Sequence, residues 1–479
     1  MNEGKLWLLL TVLMTLTGCT HVEEYDSSED SELSEVFFNG YLSHAKDVDT
    51  RATYPVGGEG GMTTAKLKSS GFGVFASYTG ASTYDYAGSG IGDVAHNFMW
   101  NQQVEWAGGK WTYSPVKYWP NDNQPADQQV PPAQGSEAHS YVSFFAYAPY
   151  QQVADPAAGL DVTATPAHSG IVKVDANSAA SGNATLTYRT SGTSPFSPTG
   201  NVDLLWANQQ NLWKMKSSGE GYVDGYVHFL FKHALSKFTV YVQGLFDHRD
   251  NDDTSMNYPD DVDGNTRILI ERVDFSNSPL MSKGRMYLAA RPNDATVPCW
   301  DLLAADSLHI DINGFTLNED LRDAYIDGTQ KAYHTDWLVD TDAATAKDNF
   351  LALPTGVTHT EQPLFDDTDE FLMVIPNKDY ITAHPADVMK VHIVYYVITY
   401  DPNLTLNNPK YYSIVKNDIL ATFSSSFSFE PNKQYKLVLM PGLTTVKFQL
   451  SVADEWETPI VMDPVVIDWF VSKKEYNVN

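Results

Sequence analysis

The chain has 479 residues, with 31 Lys and Arg against 60 Asp and Glu, and a formal net charge of −29. This charge excludes a nucleic-acid binder, because affinity for phosphate depends on clusters of Lys and Arg. The two cysteines exclude a disulfide scaffold and a cysteine-based zinc or iron–sulfur site. Hydrophobic residues make up 43% of the chain and aromatic residues 13%, which favours a folded, β-rich protein.

The N-terminus has the pattern of a secretory signal. Lys5 precedes an apolar stretch, Leu6–Leu16, which is shorter than the roughly 20 residues that a membrane-spanning helix needs. The stretch ends in Leu16-Thr17-Gly18-Cys19, which resembles the lipobox of bacterial lipoproteins, where the signal peptide is removed before a lipid-bearing cysteine. We predict a signal peptide over residues 1–18 and lipidation of Cys19. The alternative is a buried cysteine in a signal anchor.

Residues 19–51 form a predicted tether that contains one apolar segment. The tether begins with an acidic group, Glu23, Glu24, Asp26, Glu29, Asp30, Glu32 and Glu35. These residues suit a solvated tether, and they also resemble the surface-export signal that follows the lipidated cysteine in some two-membrane bacteria. Leu33–Leu42 is apolar enough for a strand around Val36, Phe37 and Phe38. No neighbouring segment offers this strand a hairpin partner.

Strands separated by turns are predicted from Gly71 onwards. Phe98–Trp106 and Trp111–Tyr113 flank Ala107-Gly108-Gly109-Lys110, which is a typical hairpin turn. Tyr141–Tyr147 alternates between two faces, as a strand does.

A change of composition at Lys214–Gly221 predicts a boundary between a domain at residues 52–217 and one at residues 218–479. Beyond it, Phe238, Val240 and Val242 share one face of a strand-rich block at Tyr226–Val242. Further predicted strands are Phe371–Ile375, Val391–Tyr400, Tyr411–Ile414 and Phe423–Phe429, and a predicted hairpin joins Gln434–Met440 to Val446–Val452. Helical periodicity is limited to Asp301–Leu308. The sequence predicts an all-β fold with two tandem β-sandwich domains of the transthyretin-like or Greek-key type.

No motif in the sequence predicts catalysis, a metal site or a cofactor. Asp260–Asn265 resembles a calcium loop, but placing Gly264 at position six puts Pro259 where position one needs a carboxylate. HExxH and GxSxG are absent, and the 13 histidines are not at ligand spacing. His228 and His233 are predicted to be packed or hydrogen-bonded residues, and Cys299 a core residue.

Several short motifs occur in an order that resembles one protein family. Besides the lipobox they are Thr50-Arg51-Ala52-Thr53, Gly73-Val74-Phe75-Ala76, Asp203-Leu204-Leu205-Trp206-Ala207, Phe231-Lys232-His233-Ala234-Leu235-Ser236-Lys237, Val374-Ile375-Pro376-Asn377 and Asn432-Lys433-Gln434-Tyr435. Together they resemble the fimbrillins, the subunits of type V pili on bacteria with two membranes. The resemblance implies a non-enzymatic structural protein, first held as a lipoprotein in outer-membrane lipid and later part of a fimbrium on the cell surface.

The resemblance also implies processing by an arginine-specific surface protease. The cut would fall between Arg51 and Ala52 and remove the lipid, the tether and the strand with Val36, Phe37 and Phe38. This strand would act as a plug, and its loss would leave an unpaired apolar sheet edge that accepts a strand of another subunit. The alternative is that Arg51 is an ordinary exposed arginine.

Stalk subunits of the family donate a C-terminal strand to a neighbour. Pro464–Val471 is the candidate here, with Val465, Ile467, Trp469 and Val471 on one face. The alternative is that this segment completes the second sandwich. A tip or accessory subunit needs no free donor, and an anchor subunit keeps its lipid.

The resulting prediction is an adhesive pilus subunit assembled by strand exchange, at the tip or as an accessory, whose partners are other subunits and host or bacterial surface ligands. One alternative is a non-polymerising surface lipoprotein that binds glycans or host ligands through exposed Trp and Tyr. Another is an extracellular glycan hydrolase, for which no motif is found.

Overall fold

The computed structural model of the chain describes residues 35–42, 62–80, 82–84, 96–120, 141–165, 168–177, 184–190, 202–213, 226–244, 264–275, 277–289, 299–302, 308–309, 317–322, 342–365, 371–406, 410–423, 427–442, 446–453, 465–466 and 470–473. All of them lie in one compact unit, Glu35–Asn479. Within them, no helix is both long and apolar enough to cross a membrane.

The described residues are mostly strands. The strands up to residue 242 are β1 (Phe37–Leu42), β2 (Phe72–Gly80), β3 (Met99–Ala107), β4 (Lys110–Thr112), β5 (Tyr141–Ala148), β6 (Leu160–Asp161), β7 (Gly170–Val174), β8 (Thr185–Arg189), β9 (Leu205–Leu212), β10 (Tyr226–His233) and β11 (Ser236–Val242). The later strands are β12 (Thr266–Asp274), β13 (Met281–Tyr287), β14 (Cys299–Asp301), β15 (Leu308–His309), β16 (Gln362–Pro363), β17 (Leu372–Val374), β18 (Lys390–Tyr400), β19 (Tyr412–Thr422), β20 (Gln434–Pro441), β21 (Val446–Ala453), β22 (Val465–Val466) and β23 (Phe470–Lys473). The helices in the described part are α1 (Thr64–Ser70), α2 (Ala343–Leu351) and α3 (Lys378–Ala383).

These strands form four sheets, named A to D here. Sheet A has seven strands in the order β1-β10-β9-β5-β2-β3-β4, and sheet B has β14-β13-β8-β7-β6 with β15 paired to β13. Sheet C has β16-β11-β20-β21-β22 with β17 paired to β11, and sheet D has β12-β18-β19-β23. The prediction of an all-β fold is confirmed.

Sheet A is buried on both faces at its central strand β5, whereas its edge at β1 and β10, where the site described below lies, is buried on one face. In β5, Phe145 and Tyr147 pack towards sheet B, whereas Phe144 and Ala146 lie in a separate core on the opposite face. Sheets C and D enclose a third core, which includes Phe238, as its predicted strand face requires. Near-continuous burial along β5 follows from having a core on each side.

Both predicted hairpins are confirmed. β3 pairs with β4 around Gly108 and Gly109, whose φ angles of 60° and 83° suit a two-residue turn that glycine adopts without strain. β20 pairs with β21 along its whole length.

The predicted domain boundary does not separate the sheets. β10 pairs with β9 through Lys232 and His233, and β13 pairs with β8, so sheets A and B each take strands from both sides of residue 217. Two tandem domains divided at this position are therefore not confirmed. A polar segment rich in Gly and Ser connects strands of one sheet as readily as it connects domains, and composition alone does not distinguish the two cases.

Some local predictions were wrong. The strand predicted at Tyr411–Ile414 begins at Tyr412 and continues to Thr422 as β19. In the strand predicted at Phe423–Phe429, residues 423 and 427–429 are not part of a strand, and residues 424–426 lie outside the described part. The helical periodicity at Asp301–Leu308 is bounded by β14 and β15, with residues 303–307 outside the described part. The helices were missed because they are short, although Thr63 and Asp342 are good N-cap residues and do accept hydrogen bonds from their helices.

Candidate assembly groove

The strand predicted as a plug lies in a groove at the edge of sheet A. β1 runs parallel to β10, with Phe37 opposite Tyr226 and Leu42 opposite Phe231. On its other side, the backbone N–H of Val36 donates to the carbonyl of Lys117 at 2.9 Å. We name the space that β1 fills the β1 groove, with walls formed by β10 and by residues 113–118.

The groove exists because, in the described part of the chain, only the end of β10 pairs with its neighbour β9. Among the described residues, β10 pairs with β9 through Lys232 and His233, and residues 226–231 have their strand partner in β1. Val227, Phe229 and Phe231 alternate with exposed residues and point into the core. Without β1, this stretch would be an unpaired edge with an apolar face.

Two side chains of β1 enter the core. Val36 and Phe38 are 0% and 2% exposed. The Phe38 ring stacks on Phe229 with 5.7 Å between centroids and meets Tyr113 at 5.2 Å and Phe144 at 5.9 Å. Burial of such side chains stabilises the folded chain by about 1.5–3 kcal/mol each, so Val36 and Phe38 hold β1 in place.

The next inward position of β1 is Gly40, and the groove is narrow there. A Cβ atom at this residue would lie 3.3 Å from Phe231 Cε2, 3.3 Å from Phe72 Cε1 and 3.6 Å from Trp111 Cε2. Gly40 has no positive φ, so the lack of space, rather than backbone conformation, favours glycine. A glycine inside a strand is a sign of such close approach, and this signal was present in the sequence.

The outward face of β1 is half in solvent. Phe37 is 37% exposed and stacks on Tyr226 at 5.1 Å, and the Asn39 amide lies 3.5 Å from His228 Nδ1. Of the three residues predicted for the plug, the structure therefore buries Val36 and Phe38 and leaves Phe37 at the surface.

Tyr113 fixes the start of β1, a role that the sequence did not reveal. Its hydroxyl donates to the Val36 carbonyl at 2.8 Å and accepts from the Lys117 N–H at 3.1 Å. Burial raises the pKa of Tyr113 to about 12. The phenol is thus held in its donating form, and together with Lys117 it sets the register of β1.

Two of the family-like motifs meet beside the groove. Asp203 and His233 are both buried, and His233 Nδ1 lies 2.8 Å from Asp203 Oδ2. The same carboxylate oxygen accepts the backbone N–H of Met62 at 2.5 Å. The prediction that His233 is a packed or hydrogen-bonded residue is confirmed by its burial, and the role of Asp203 was not predicted. This cluster ties the chain at residue 62 to the end of β10.

The candidate donor segment is paired within its own chain where it is described. Val465 and Val466 pair with β21, and Phe470–Lys473 pairs with β19. This arrangement corresponds to the alternative in which the segment completes the second sandwich. Ile467 and Trp469 lie outside the described residues, and so do Cys19, Arg51 and Ala52.

No metal cluster is present in the part of the chain that is described: no three His, Cys, Asp or Glu side chains lie close enough to hold an ion. The calcium-like residues 260–263 lie outside that part.

Comparisons with known proteins agree with the sequence motifs. Residues 136–261 match the model of a family described as fimbrillin-like. Fimbrium subunit Fim1C of Phocaeicola vulgatus is 28% identical over 160 residues, which cover 33% of this chain and 34% of the relative. The chain thus matches about a third of that relative's length.

A solved structure extends the likeness in fold. A fimbrial protein from Bacteroides vulgatus has a TM-score of 0.52 at 18% identity and covers 88% of this chain and 99% of the other. The family match includes β5 to β11 and therefore the β10 wall of the groove. The predicted resemblance is confirmed: the chain is similar to the fimbrillin-like proteins over residues 136–261 and has the fold of a fimbrial protein over most of its length.

Proposed function

We propose that this protein is a structural subunit of an adhesive fimbrium and that the β1 groove is its assembly site. The precursor is exported as a lipoprotein on Cys19 and is cut between Arg51 and Ala52 by an arginine-specific protease. The cut separates β1 from the rest of the chain, and a strand of another subunit takes its place. The observation that carries this proposal is that β1 precedes Arg51 and fills a groove without a hairpin connection to sheet A.

The energetics of the groove support exchange rather than simple loss of β1. An empty groove would expose Val227, Phe229 and Phe231 together with unpaired backbone groups of β10. A new strand would bury them again, gaining about 1 kcal/mol for each hydrogen bond and about 1.5–3 kcal/mol for each large apolar anchor. Such a joint dissociates slowly because its backbone and side-chain contacts must be lost together.

The C-terminal strands support a proposal for the position of this subunit in a fimbrium. Because β22 and β23 pair with β21 and β19 of the same chain, they are not offered to a neighbour. This supports a tip or accessory subunit, which accepts a strand and donates none.

The experiment that tests the proposal is identification of the mature N-terminus, by mass spectrometry of material sheared from the cell surface. We expect Ala52. Arg51→Lys is the sharpest control, because it keeps the charge but removes the arginine that the protease requires, so it should abolish both the cut and fimbrial assembly.

The opposite result would be an acylated Cys19 in the surface material. Assembly by groove opening would then be wrong for this chain. A lipoprotein that keeps its anchor and binds glycans or host ligands would be the better description.

A further inference from the structure

We infer that the β1 groove accepts only strands with glycine at the position of Gly40, and that the strand this subunit accepts therefore comes from a different polypeptide with the pattern aliphatic–x–aromatic–x–glycine. The identity of the partner as another subunit rests on the proposed function. The selectivity of the groove follows from the geometry alone.

The first step is that the register of the inserted strand is fixed. Val36 is held through its backbone by Lys117 and Tyr113, and these bonds do not depend on the side chain of the strand. A strand that is bound through them and runs parallel to β10, as β1 does, places its next inward side chains at the positions of Phe38 and Gly40. The side-chain pattern of an incoming strand is therefore tested in one register.

The second step is that the narrow point at Gly40 cannot widen easily. Phe72 and Phe231 are both 0% exposed, and their rings lie 5.2 Å apart. The Phe72 ring also packs on Trp111 at 4.8 Å and on Phe229 at 5.8 Å. A ring that moved to admit a Cβ would have to displace these buried neighbours, and interiors packed at this density resist such shifts.

The third step is that the C-terminal part of this chain does not fit. Residues 443–479 contain no glycine. If Val465 takes the place of Val36, Trp469 falls at the narrow point; if Ile467 does, Val471 falls there. If the other face of Pro464–Val471 pointed into the β1 groove, Asp468 or Phe470 would lie inside it instead. A second copy of this chain is therefore excluded as the donor through Pro464–Val471.

A graft experiment in the full, unprocessed chain tests the selectivity. In one variant Val36–Leu42 is replaced by the sequence of Val465–Val471, so that tryptophan stands at position 40; a second graft carries glycine at that position. We expect the first graft to lose hydrogen-exchange protection at residues 226–231 and to melt about 3 °C or more below the wild type. The glycine graft should regain most of both.

Single substitutions provide matched controls. Gly40→Val should reproduce the loss, whereas Asn39→Val, at the neighbouring outward position, should leave the protection of residues 226–231 unchanged. The inference is overturned if the tryptophan graft or Gly40→Val is as protected as the wild type. It is equally overturned if glycine at position 40 gives the graft no recovery.

A binding experiment separates this inference from the proposed function. The full chain cut after Arg51 is mixed with labelled peptides of residues 34–44, of the same residues with Gly40→Val, and of residues 463–473. We expect the last two to bind at least about tenfold more weakly than the first. Equal binding of all three contradicts the selectivity. Binding of none contradicts the opening of the groove on cleavage, while the result of the grafts stands.

Discussion

Phe37 and Phe38 are adjacent residues of the same type with opposite environments, and they give a direct test of how β1 is held. Phe38→Ala removes a ring that packs on Phe229, Tyr113 and Phe144, and we expect it to lower the free energy of unfolding by about 3–5 kcal/mol. Phe37→Ala removes a half-exposed ring and should cost about 1 kcal/mol or less. Urea unfolding measures both values, and similar losses for the two variants would contradict the placement of β1.

The alternation of Val36, Phe37 and Phe38 could be predicted from the sequence because side chains of a strand point to opposite faces. Which of the two faces is buried could not be predicted, since that depends on β10, which lies almost 190 residues later in the chain. The hydrogen bond of Tyr113 to Val36 could not be predicted for the same reason, because the two residues are also far apart in the sequence. Gly40, by contrast, carried a local signal, as a glycine within an apolar strand.

Tyr113 predicts a specific pH dependence. Its hydroxyl bonds to Val36 and Lys117 are worth about 0.5–1.5 kcal/mol near neutral pH, which Tyr113→Phe should lose. In the unfolded chain the phenol titrates at the ordinary tyrosine pKa of 10.0, and in the folded chain burial raises the pKa to about 12. Between these values the unfolded state binds fewer protons than the folded state, so the stability contributed by this group falls as the pH rises.

The measurement is the difference in unfolding free energy between wild type and Tyr113→Phe at several pH values from 7 to about 12. We expect the difference to be constant below pH 10 and to shrink above it. Other buried tyrosines, such as Tyr147 and Tyr188, are present in both proteins and cancel in the difference. A difference that stays constant up to pH 12 would show that this phenol is not held neutral by the fold.

At the scale of elements, the Asp203–His233 cluster joins the chain at Met62 to β10. Asp203→Ala would remove the buried carboxylate that accepts the Met62 N–H and lies 2.8 Å from His233 Nδ1, and we expect a loss of about 3–5 kcal/mol in unfolding free energy. Asp203→Asn keeps an oxygen acceptor and should lose less. Hydrogen exchange at residues 62–70 should become faster in Asp203→Ala, and unchanged exchange there would contradict the coupling.

The family-like motifs could be found in the sequence, but their physical roles needed the fold. Gly73 begins the second motif, and a Cβ there would lie 2.4 Å from the ring of Tyr147, on the neighbouring strand β5. Asp203 and His233 lie 30 residues apart in two different motifs, and their side chains come within 2.8 Å of each other. The strands themselves were predicted well where they alternate or flank a glycine turn. Their assignment to sheets was not predicted well, because β9 and β10 pair across the segment at Lys214–Gly221 that was predicted to be a domain boundary.

For the whole molecule, the pairing of the C-terminal segment within its own chain can be tested by deletion. Deletion of residues 464–479 removes β22 and β23 and uncovers the edges of β21 and β19. We expect a lower melting temperature and faster hydrogen exchange at residues 419–422 and 449–450, because these residues lose one of their two strand partners. Deletion of residues 474–479 alone leaves both short strands intact and serves as the matched control.

A free donor strand would give the opposite pattern. The larger deletion would then leave the melting temperature and the hydrogen exchange of β19 and β21 unchanged, and the chain could no longer donate a strand to a neighbouring subunit.

The in-chain pairing also predicts how the chain associates: after cleavage at Arg51 the wild-type chain should remain monomeric by itself at micromolar concentration. It should form a one-to-one complex with a chain that presents a free strand with glycine at the required position. Self-association of the cut chain that is lost on deleting residues 464–479 would reverse the assignment, since those residues would then be the donor.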